Sequence, residues 1–502
     1  MKLSLITATL AVLASLSSCE KIDPGLKFSV NQGALDYVTE TILPVVLQEL
    51  QKVEIESITT DVSTPIGTVV LEVTDIKFTD LNAGTIDVSF VSPHSIKATV
   101  SGASASVTFG WRYRQKIWPH TSDRGTGEAT ARKVSALVSM EVRTNSTDGR
   151  PIVRAPRIKF KIGKLKVKLH GGASWLYNIF ITVLKPFIVG NIDKAVKNEL
   201  RYLLNVFVND ELARFPVQIP LGLGIGIAYR LTADPTVTHD RSLVVPSQAE
   251  FFPLELGTGH SGHAPAKLPD RGTSRVNMFE FVFSAFTLQT LGFSAYKARA
   301  LEQRLTKEKA AGIPGAGVLF TTDVYAVYAP RMLTKYGRGK EVSLRFSALR
   351  EPEVSLIRSG FNVTFPMVIH VDVRVVDKAA NTSRWEEAFA ITAFANAHGS
   401  VGFENNTLHG KVTLVNSTIG LYSSNVGAVN VRGLSSTIHL ALDVAQTIVN
   451  RILHNGVPVP SVQGLTFVDP IIEWYNDYFA ISTSGKYVPP VVPDRKQKSI
   501  NP

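Results

Sequence analysis

The sequence predicts an α+β protein of two similar halves, each an antiparallel sheet folded against long helices. Three observations predict it. Amphipathic helical stretches bracket a run of short alternating strands, a Pro- and Gly-rich stretch interrupts the chain near its middle, and the same order of elements returns about 240 residues on. With 502 residues, 44% of them hydrophobic and 19% charged, the chain can bury a large core, and disorder is excluded as its main state. At roughly 150 residues per domain, the length allows two to four domains or two large β-rich ones.

Residues 1–19 have the pattern of a secretory signal. Lys2 is followed by an apolar and small-residue run from Leu3 to Leu16, then by Ser17-Ser18-Cys19 at a cleavage site. That run is short of the roughly 20 residues a bilayer span needs, and no later segment is apolar for that length. Leu16-Ser17-Ser18-Cys19 also matches a bacterial lipoprotein box, so a lipid anchor at Cys19 is the alternative to release. Five Asn-x-Ser/Thr tripeptides, at Asn145, Asn362, Asn381, Asn405 and Asn416, favour an extracellular, glycosylated protein. Cys19 is the only cysteine, so the mature chain has no disulfide and relies on the size of its core.

Gln32 to Val53 places Leu35, Val38, Ile42, Val45, Val46 and Leu50 on one helical face, with Pro44 as an expected kink. Trp175 to Phe215 repeats this with Leu176, Ile179, Phe180, Val183 and Leu184, then Ile192, Val196, Leu200, Leu203 and Leu204. Pro186 is expected to bend or break it. Between them Val69–Val73, Ile76–Phe78, Ile86–Phe90 and Ser135–Met140 read as strands, with turns at Asn82-Ala83-Gly84 and Asp148-Gly149. From Arg157 to His170 the apolar positions change phase, from Ile158, Phe160 and Ile162 to Leu165, Val167 and Leu169. A one-residue slip exchanges the faces of a strand, so Gly163 is predicted to be a bulge that turns Lys159, Lys161, Lys164, Lys166 and Lys168 outward together.

Thr236 to Asn277, with Pro246, Pro253, Pro265 and Pro269 among Gly and His, is the predicted linker. Beyond it Phe279–Leu301 reads as strand then helix, and Val318–Leu434 as strand-rich. A helix is predicted over Thr437–Leu453, stopped by Asn455-Gly456 and Pro458. The chain therefore divides into a signal (1–19), a first unit (20–235), a Pro- and Gly-rich linker and central-sheet region (236–277), a second unit (278–488) and a Pro- and charge-rich tail expected to be disordered (489–502).

Lys and Arg number 53 against 42 Asp and Glu, a formal charge of +11. Between Trp111 and His170 there are 15 cations against Asp123, Glu128, Glu141 and Asp148, so this window accounts for the whole excess. A basic segment on a neutral body predicts an anionic partner. Secretion excludes nucleic acid as the natural one and leaves an anionic membrane, glycan or lipid. The Lys159–Lys168 row is either a solvated strand face or an anion-binding surface.

No catalytic pattern holds. Gly259-His260-Ser261-Gly262-His263 lacks the last glycine of a nucleophile elbow and sits in the linker. His260 and His263 have no cysteine or carboxylate cluster nearby to complete a metal site. Gly222-Leu223-Gly224-Ile225-Gly226 follows a helix and leads into a strand, the reverse of a phosphate loop, and suits close backbone packing instead. What remains is apolar surface on helices that must lie on sheets, either an ordinary filled core or a gap for lipid tails. At roughly 0.8 kcal/mol per buried methylene, a 16-carbon tail would gain on the order of 10 kcal/mol before ordering costs.

Asp23-Pro24-Gly25-Leu26-Lys27-Phe28 with the helix entry Gly33-Ala34-Leu35-Asp36-Tyr37 resembles the mature N-terminus of the family that contains bactericidal permeability-increasing, lipopolysaccharide-binding and cholesteryl ester transfer proteins. Phe109-Gly110-Trp111-Arg112-Tyr113-Arg114-Gln115-Lys116 is similar to its tip hairpin. Leu291-Gly292-Phe293-Ser294-Ala295-Tyr296, Gly312-Ile313-Pro314 and Pro458–Ser482 resemble its C-terminal barrel. The resemblance implies two similar elongated barrels, each a twisted antiparallel sheet wrapped on long helices, joined by a central sheet into a boomerang.

The resemblance further implies an acyl-chain pocket in each barrel. The expected linings are Val38, Ile42, Val45, Val46, Leu176, Ile179, Val183 and Leu184 in the first, and Phe286, Leu291, Ile448 and Ile452 in the second. Arg112, Arg114 and Lys116 match the basic headgroup tip. Two departures stand out: Thr60–Gly67, where the family's other tip loop carries lysines, has no base, and the family's N-barrel disulfide is missing. The expected protein is a secreted, monomeric, non-enzymatic lipid-binding or lipid-transfer protein without cofactor or metal. Its expected partners are a phospholipid or other acyl lipid and an anionic membrane surface, with lipopolysaccharide as a candidate. The rivals are a surface or immune-type recognition protein with structural barrels and a protein or glycan partner, and an esterase of unfamiliar type.

Overall fold

The computed structural model describes residues 23–488 apart from 54, 173, 270–276 and 378–380. The predicted signal, Cys19 and the tail lie outside the described residues. Strand β1 (Leu26–Val30) leads into helix α1 (Gln32–Gln51), whose N-cap Asn31 accepts a hydrogen bond from the Ala34 N–H at 2.9 Å. Then come β2 (Ile58–Thr64), β3 (Gly67–Asn82), β4 (Thr85–Val91), β5 (Ser95–Gln115), β6 (Ser122–Thr144), β7 (Pro151–Lys161) and β8 (Lys164–His170). They form one antiparallel sheet in the order β2-β3-β5-β6-β7, with β4 beside β5 and β8 beside β6. Helix α2 (Tyr177–Tyr202) lies on its concave face. Leu176, Phe180, Leu184, Ile188 and Ile192, spaced by four, are all buried there against Val69, Leu71, Val73, Trp111 and Tyr113.

Helix α2 runs unbroken through Pro186, and α1 through Pro44. Both prolines sit on exposed positions, where water can satisfy the carbonyl that a proline leaves unpaired. The predicted break does not occur. Past Tyr202 the chain widens into a π-helical turn (Leu203–Phe207) and continues as α3 (Val208–Ala213).

The middle of the chain supplies strands to two sheets. β9 (Gln218–Gly222), β10 (Ile225–Ala228) and β13 (Glu250–Pro253) form a small sheet, with Gly222, Leu223 and Gly224 as the positive-φ turn between β9 and β10. β11 (Thr236–Val237) and β12 (Leu243–Ser247) join a six-stranded central sheet with β14 (Phe279–Ser284) and the last two strands, β22 (Leu465–Trp474) and β23 (Tyr478–Tyr487). Its order is β11-β12-β1-β14-β23-β22, so the first strand of the chain is paired on both sides with much later segments. Helix α4 (Ala285–Lys297) follows β14.

The second barrel comprises β15 (Gln303–Leu305), β16 (Val342–Ala348), β17 (Glu353–Ile357), β18 (Gly360–Asp377), β19 (Thr382–Glu404), β20 (Thr407–Ser424) and β21 (Val457–Pro458), with α7 (Val431–His454) laid across it. Two departures from expectation occur here. The start of the expected strand-rich stretch, from Val318 to Tyr336, instead falls in a 3-10 turn (Ala316–Phe320) and the short helices α5 (Thr322–Ala326) and α6 (Arg331–Tyr336). Positive-φ Gly315 and Gly337 and the Thr321 cap delimit them. Helix α7 starts six residues early because Asn430 caps it, its side chain accepting from the Gly433 N–H at 3.1 Å.

The predicted slip at Gly163 is present. The chain breaks between β7 and β8, and both pair with β6. The partner strand slips too: Lys133 takes φ 53° directly under Gly163, and Ala131 and Val134, three residues apart, both turn inward. Ile158, Val167 and Leu169 are buried, and all five lysines face out.

Candidate functional site

A cavity of about 550 Å³ lies between the helices of the first barrel and the central sheet. Helix α1 contributes Val38, Ile42, Val45 and Val46, four of the eight expected residues. The stretch from Leu203 to Leu212 contributes Leu203, Leu204, Val208 and Leu212, and the sheet contributes Phe28, Val30, Val245 and Phe281. The α1 side chains are apolar yet only half-buried, because they face the cavity instead of interlocking with a neighbour. Leu176, Ile179, Val183 and Leu184 do not reach it. They pack against the sheet of the first barrel, where α2 approaches too closely to leave a gap.

The far wall was not read from the sequence. Val459, Leu465, Phe467 and Tyr487 close the cavity from the C-terminal end of the chain. Tyr229, fully buried beside them, donates its hydroxyl to the Pro458 carbonyl at 3.2 Å, and burial pushes its phenol pKa up. The charged groups in the lining are Glu49 and Glu211. Each carries its own counter-ion, Lys52 and Arg214, at 2.7 Å. A smaller recess of about 170 Å³ adjoins, sharing Glu211, Leu212, Phe215 and residues 461–463.

The four residues expected in a second pocket are not brought together. Phe286 and Leu291 sit on α4, which packs on β13 and β17 between the barrels. Ile448 packs half-buried on the second barrel's core, and Ile452 is exposed. Inside that barrel, Leu319, Phe320, Tyr325 and Met332 from the short helical segment fill the space between sheet and α7.

The tip of the first barrel is the turn between β2 and β3 together with the 116–121 loop. Gln115, buried, joins them by donating to the Ile66 carbonyl and accepting from the Thr121 hydroxyl at 2.8 Å, and the Lys116 N–H bonds the Thr68 carbonyl at 3.0 Å. Of the three expected headgroup cations, two are matched within the protein. Arg112 Nε donates to Glu72 Oε2 at 3.0 Å, and Lys116 pairs with Asp61. Arg114 is exposed and has no carboxylate in ion-pair reach among the described residues. What the tip presents most openly is apolar: Trp118 is 84% exposed and Ile117 58%.

A polar network in the second barrel also escaped the sequence. Ser347 Oγ lies 2.9 Å from His370 Nε2, and His370 Nδ1 lies 2.7 Å from Glu387. Ser423 donates to Glu387 at 2.8 Å. The order serine, histidine, carboxylate is that of a nucleophilic relay, but Ser347 sits within the β16–β18 ladder and not on the sharp turn that presents a nucleophile. Among the described residues no group of three or more His, Cys, Asp or Glu could hold a metal, and no helix is long and apolar enough to cross a membrane.

Fold and cavity together define a two-barrel protein built around an apolar compartment, with strand-rich, curled antiparallel sheets on either side of a shared central one. The chain belongs to the LBP / BPI / CETP family. The model of the family's N-terminal domain matches residues 34–206 and that of its C-terminal domain residues 223–487. It is 24% identical over 494 residues to the bactericidal permeability-increasing protein of Sebastes schlegelii, covering 95% of this chain and 98% of that one. It is 25% identical over 302 residues to the phospholipid transfer protein of Mus musculus, 59% of this chain and 58% of that one. The crystal structure of lipopolysaccharide binding protein superposes with a TM-score of 0.58 at 19% identity, over 93% of this chain and 100% of that one, which shows the boomerang fold. The family consists of lipid-binding and lipid-transfer proteins, and the chain is not an enzyme.

Proposed function

We propose that this is a secreted lipid-binding protein that holds acyl chains between α1, the 203–212 stretch and the central sheet and meets a membrane through the Trp118 tip. One observation carries the reading. A cavity of about 550 Å³ is walled almost wholly by apolar side chains, and the apolar stripe of α1 is left half-buried along it. Buried methylenes would gain roughly 0.8 kcal/mol each there, and the volume falls within the range of small-molecule sites, about 300–1,000 Å³. The lipid names of the relatives support the class of ligand. At the tip, an exposed indole beside Ile117 suits the boundary between headgroups and acyl chains.

Native mass spectrometry of the purified protein tests the cavity. Co-purifying lipid is expected, and Val46→Trp, which places an indole in the space, should remove most of it while the fold survives. A lipid-free wild-type protein would overturn the proposal and favour structural barrels. Vesicle flotation tests the tip. Trp118→Ser should weaken binding about tenfold, in line with losing one large buried side chain. Raising salt, which shortens the Debye length from about 10 Å at 0.1 M to about 3 Å at 1 M, should weaken it less, since Arg112 and Lys116 are already matched.

A further inference from the structure

Helix α3 is a loosely held wall of the cavity. Val208, Glu211 and Leu212 line the space, yet no residue of α3 is fully buried. The helix before it does not run on regularly. Leu203–Phe207 forms a π turn, closed by the Val208 N–H on the Leu203 carbonyl. Such a turn inserts an extra residue into the helical ladder and gives a point at which the axis can change direction. Just beyond it Asn209 ties α3 to the sheet. Its side chain accepts from the Val153 N–H of β7 at 2.8 Å and donates to the Val153 carbonyl at 2.9 Å. Downstream the segment is pinned again, where Arg150 Nε donates to the Phe215 carbonyl at 3.0 Å. Glu211 is paired within the segment, with Arg214 at 2.7 Å, so that ion pair travels with α3 and does not hold it back.

The facing lip is fixed. Ser461 Oγ accepts from Asn406 Nδ2 at 3.0 Å, and the Leu465 N–H bonds the Val462 carbonyl at 3.1 Å. Between the lips lies the recess of about 170 Å³, whose Leu212, Phe215, Ser461 and Val462 also line the cavity, so the two spaces are continuous. Among the described residues no hydrogen bond or ion pair joins 211–215 to 461–463, and parting them breaks none there. The second barrel repeats the clasp without the hinge. Asn450 grips the Val412 backbone at 2.8 and 2.9 Å, but its helix is regular as far as His454, and Gln446 adds a bond from the Leu414 N–H. Resting on the acyl-chain reading of the cavity, we infer that the seam between α3 and residues 461–463 is the entrance for the lipid. Helix α3 swings outward on the π turn to open it, and Asn209 is the latch that sets how often it does.

Release of pyrene-labelled phosphatidylcholine from the loaded protein to acceptor phosphatidylcholine vesicles tests the gate. Asn209→Ala removes two hydrogen bonds from the closed state and should speed release about tenfold, with the amount of lipid bound unchanged. Asn450→Ala removes the equivalent clasp from the second barrel and should release like the parent. Hydrogen exchange should quicken at the 208–213 amides of Asn209→Ala and not along α2. A cross-link keeps the test independent of any stability that Asn209→Ala loses. Arg214→Cys with Gln463→Cys, made with Cys19→Ser and joined across the recess by a short bismaleimide, should release at least tenfold more slowly than the same variant before joining. Equal release from Asn209→Ala and the parent overturns the latch, and unslowed release after cross-linking overturns the entrance. A protein that takes up no labelled phosphatidylcholine overturns the acyl-chain reading itself, and the gate with it.

Discussion

Gly127 and Gly399 each lie beneath a phenylalanine ring from the neighbouring strand. A Cβ on Gly127 would come within 2.3 Å of the Phe109 ring, and one on Gly399 within 2.1 Å of the Phe361 ring. Each glycine is the direct register partner of the ring that covers it, a pairing in which an aromatic shields a strand glycine. Gly127→Ala and Gly399→Ala should each cost about 1–3 kcal/mol through overpacking, read as a lowered melting temperature. An unchanged melt would mean that the ring swings aside. A second effect at this scale is acid sensitivity. Burial opposes ionisation of Glu387, but hydrogen bonds from Ser423 and His370 and the charges of His370 and Arg345 overcome it, holding the carboxyl below its ordinary 4.5. A depressed folded value means stability that is complete above 4.5 and lost as pH falls through the folded value. The parent should therefore lose melting temperature on acidification below about pH 4.5, and Glu387→Gln should lose less. None of these contacts was legible beforehand, because each depends on which residue of one strand faces which of another, and alternation alone does not set that register.

Helices and strands were legible where one face is apolar and water takes the other. The α1 stripe, the α2 stripe and the change of phase at Gly163 all follow from periodicity, and all are present. The failures have local causes. Of the bend or break expected at Pro186, the break does not occur, because its exposed position lets water take up the freed carbonyl. The strand-rich reading from Val318 onward fails as far as Tyr336, where glycines and a threonine cap fold the chain into short helices that plug the second barrel. The eight expected first-pocket residues divided for a similar reason. Periodicity shows that a face is apolar but not how closely the next element approaches it, so α2 became core and α1 became wall. Asn31 begins that wall. Its side chain caps α1 and also donates to the Asn277 carbonyl at 2.6 Å, tying the helix to the approach of β14. Asn31→Ala should destabilise by about 1 kcal/mol or somewhat more, visible as a lower melting temperature with the fold retained.

For the molecule as a whole, the duplicated order of elements was legible, and so was the concentration of charge in one window. What the charge does was not. The family resemblance put Arg112, Arg114 and Lys116 at the tip as a basic cluster, but Glu72 and Asp61, 40 and 55 residues away in the chain, neutralise two of them. The cavity likewise has walls from both ends of the chain. Phe467→Ala removes a ring that the C-terminal half contributes to a compartment of the N-terminal half, and it should cost about 3–5 kcal/mol and shift the masses of co-purified lipid. An unchanged lipid distribution would place the ligand elsewhere.

That shared wall also orders events in time. β1 emerges first from the ribosome, but its two neighbours in the sheet lie at Leu243–Ser247 and Phe279–Ser284, and the last lining residue of the cavity is Tyr487. At roughly 5–20 residues per second, the compartment stays open on one side for tens of seconds of synthesis. A lipid held there would therefore be enclosed only at the close of synthesis, and a nascent chain stalled before β22 would carry an uncovered apolar groove.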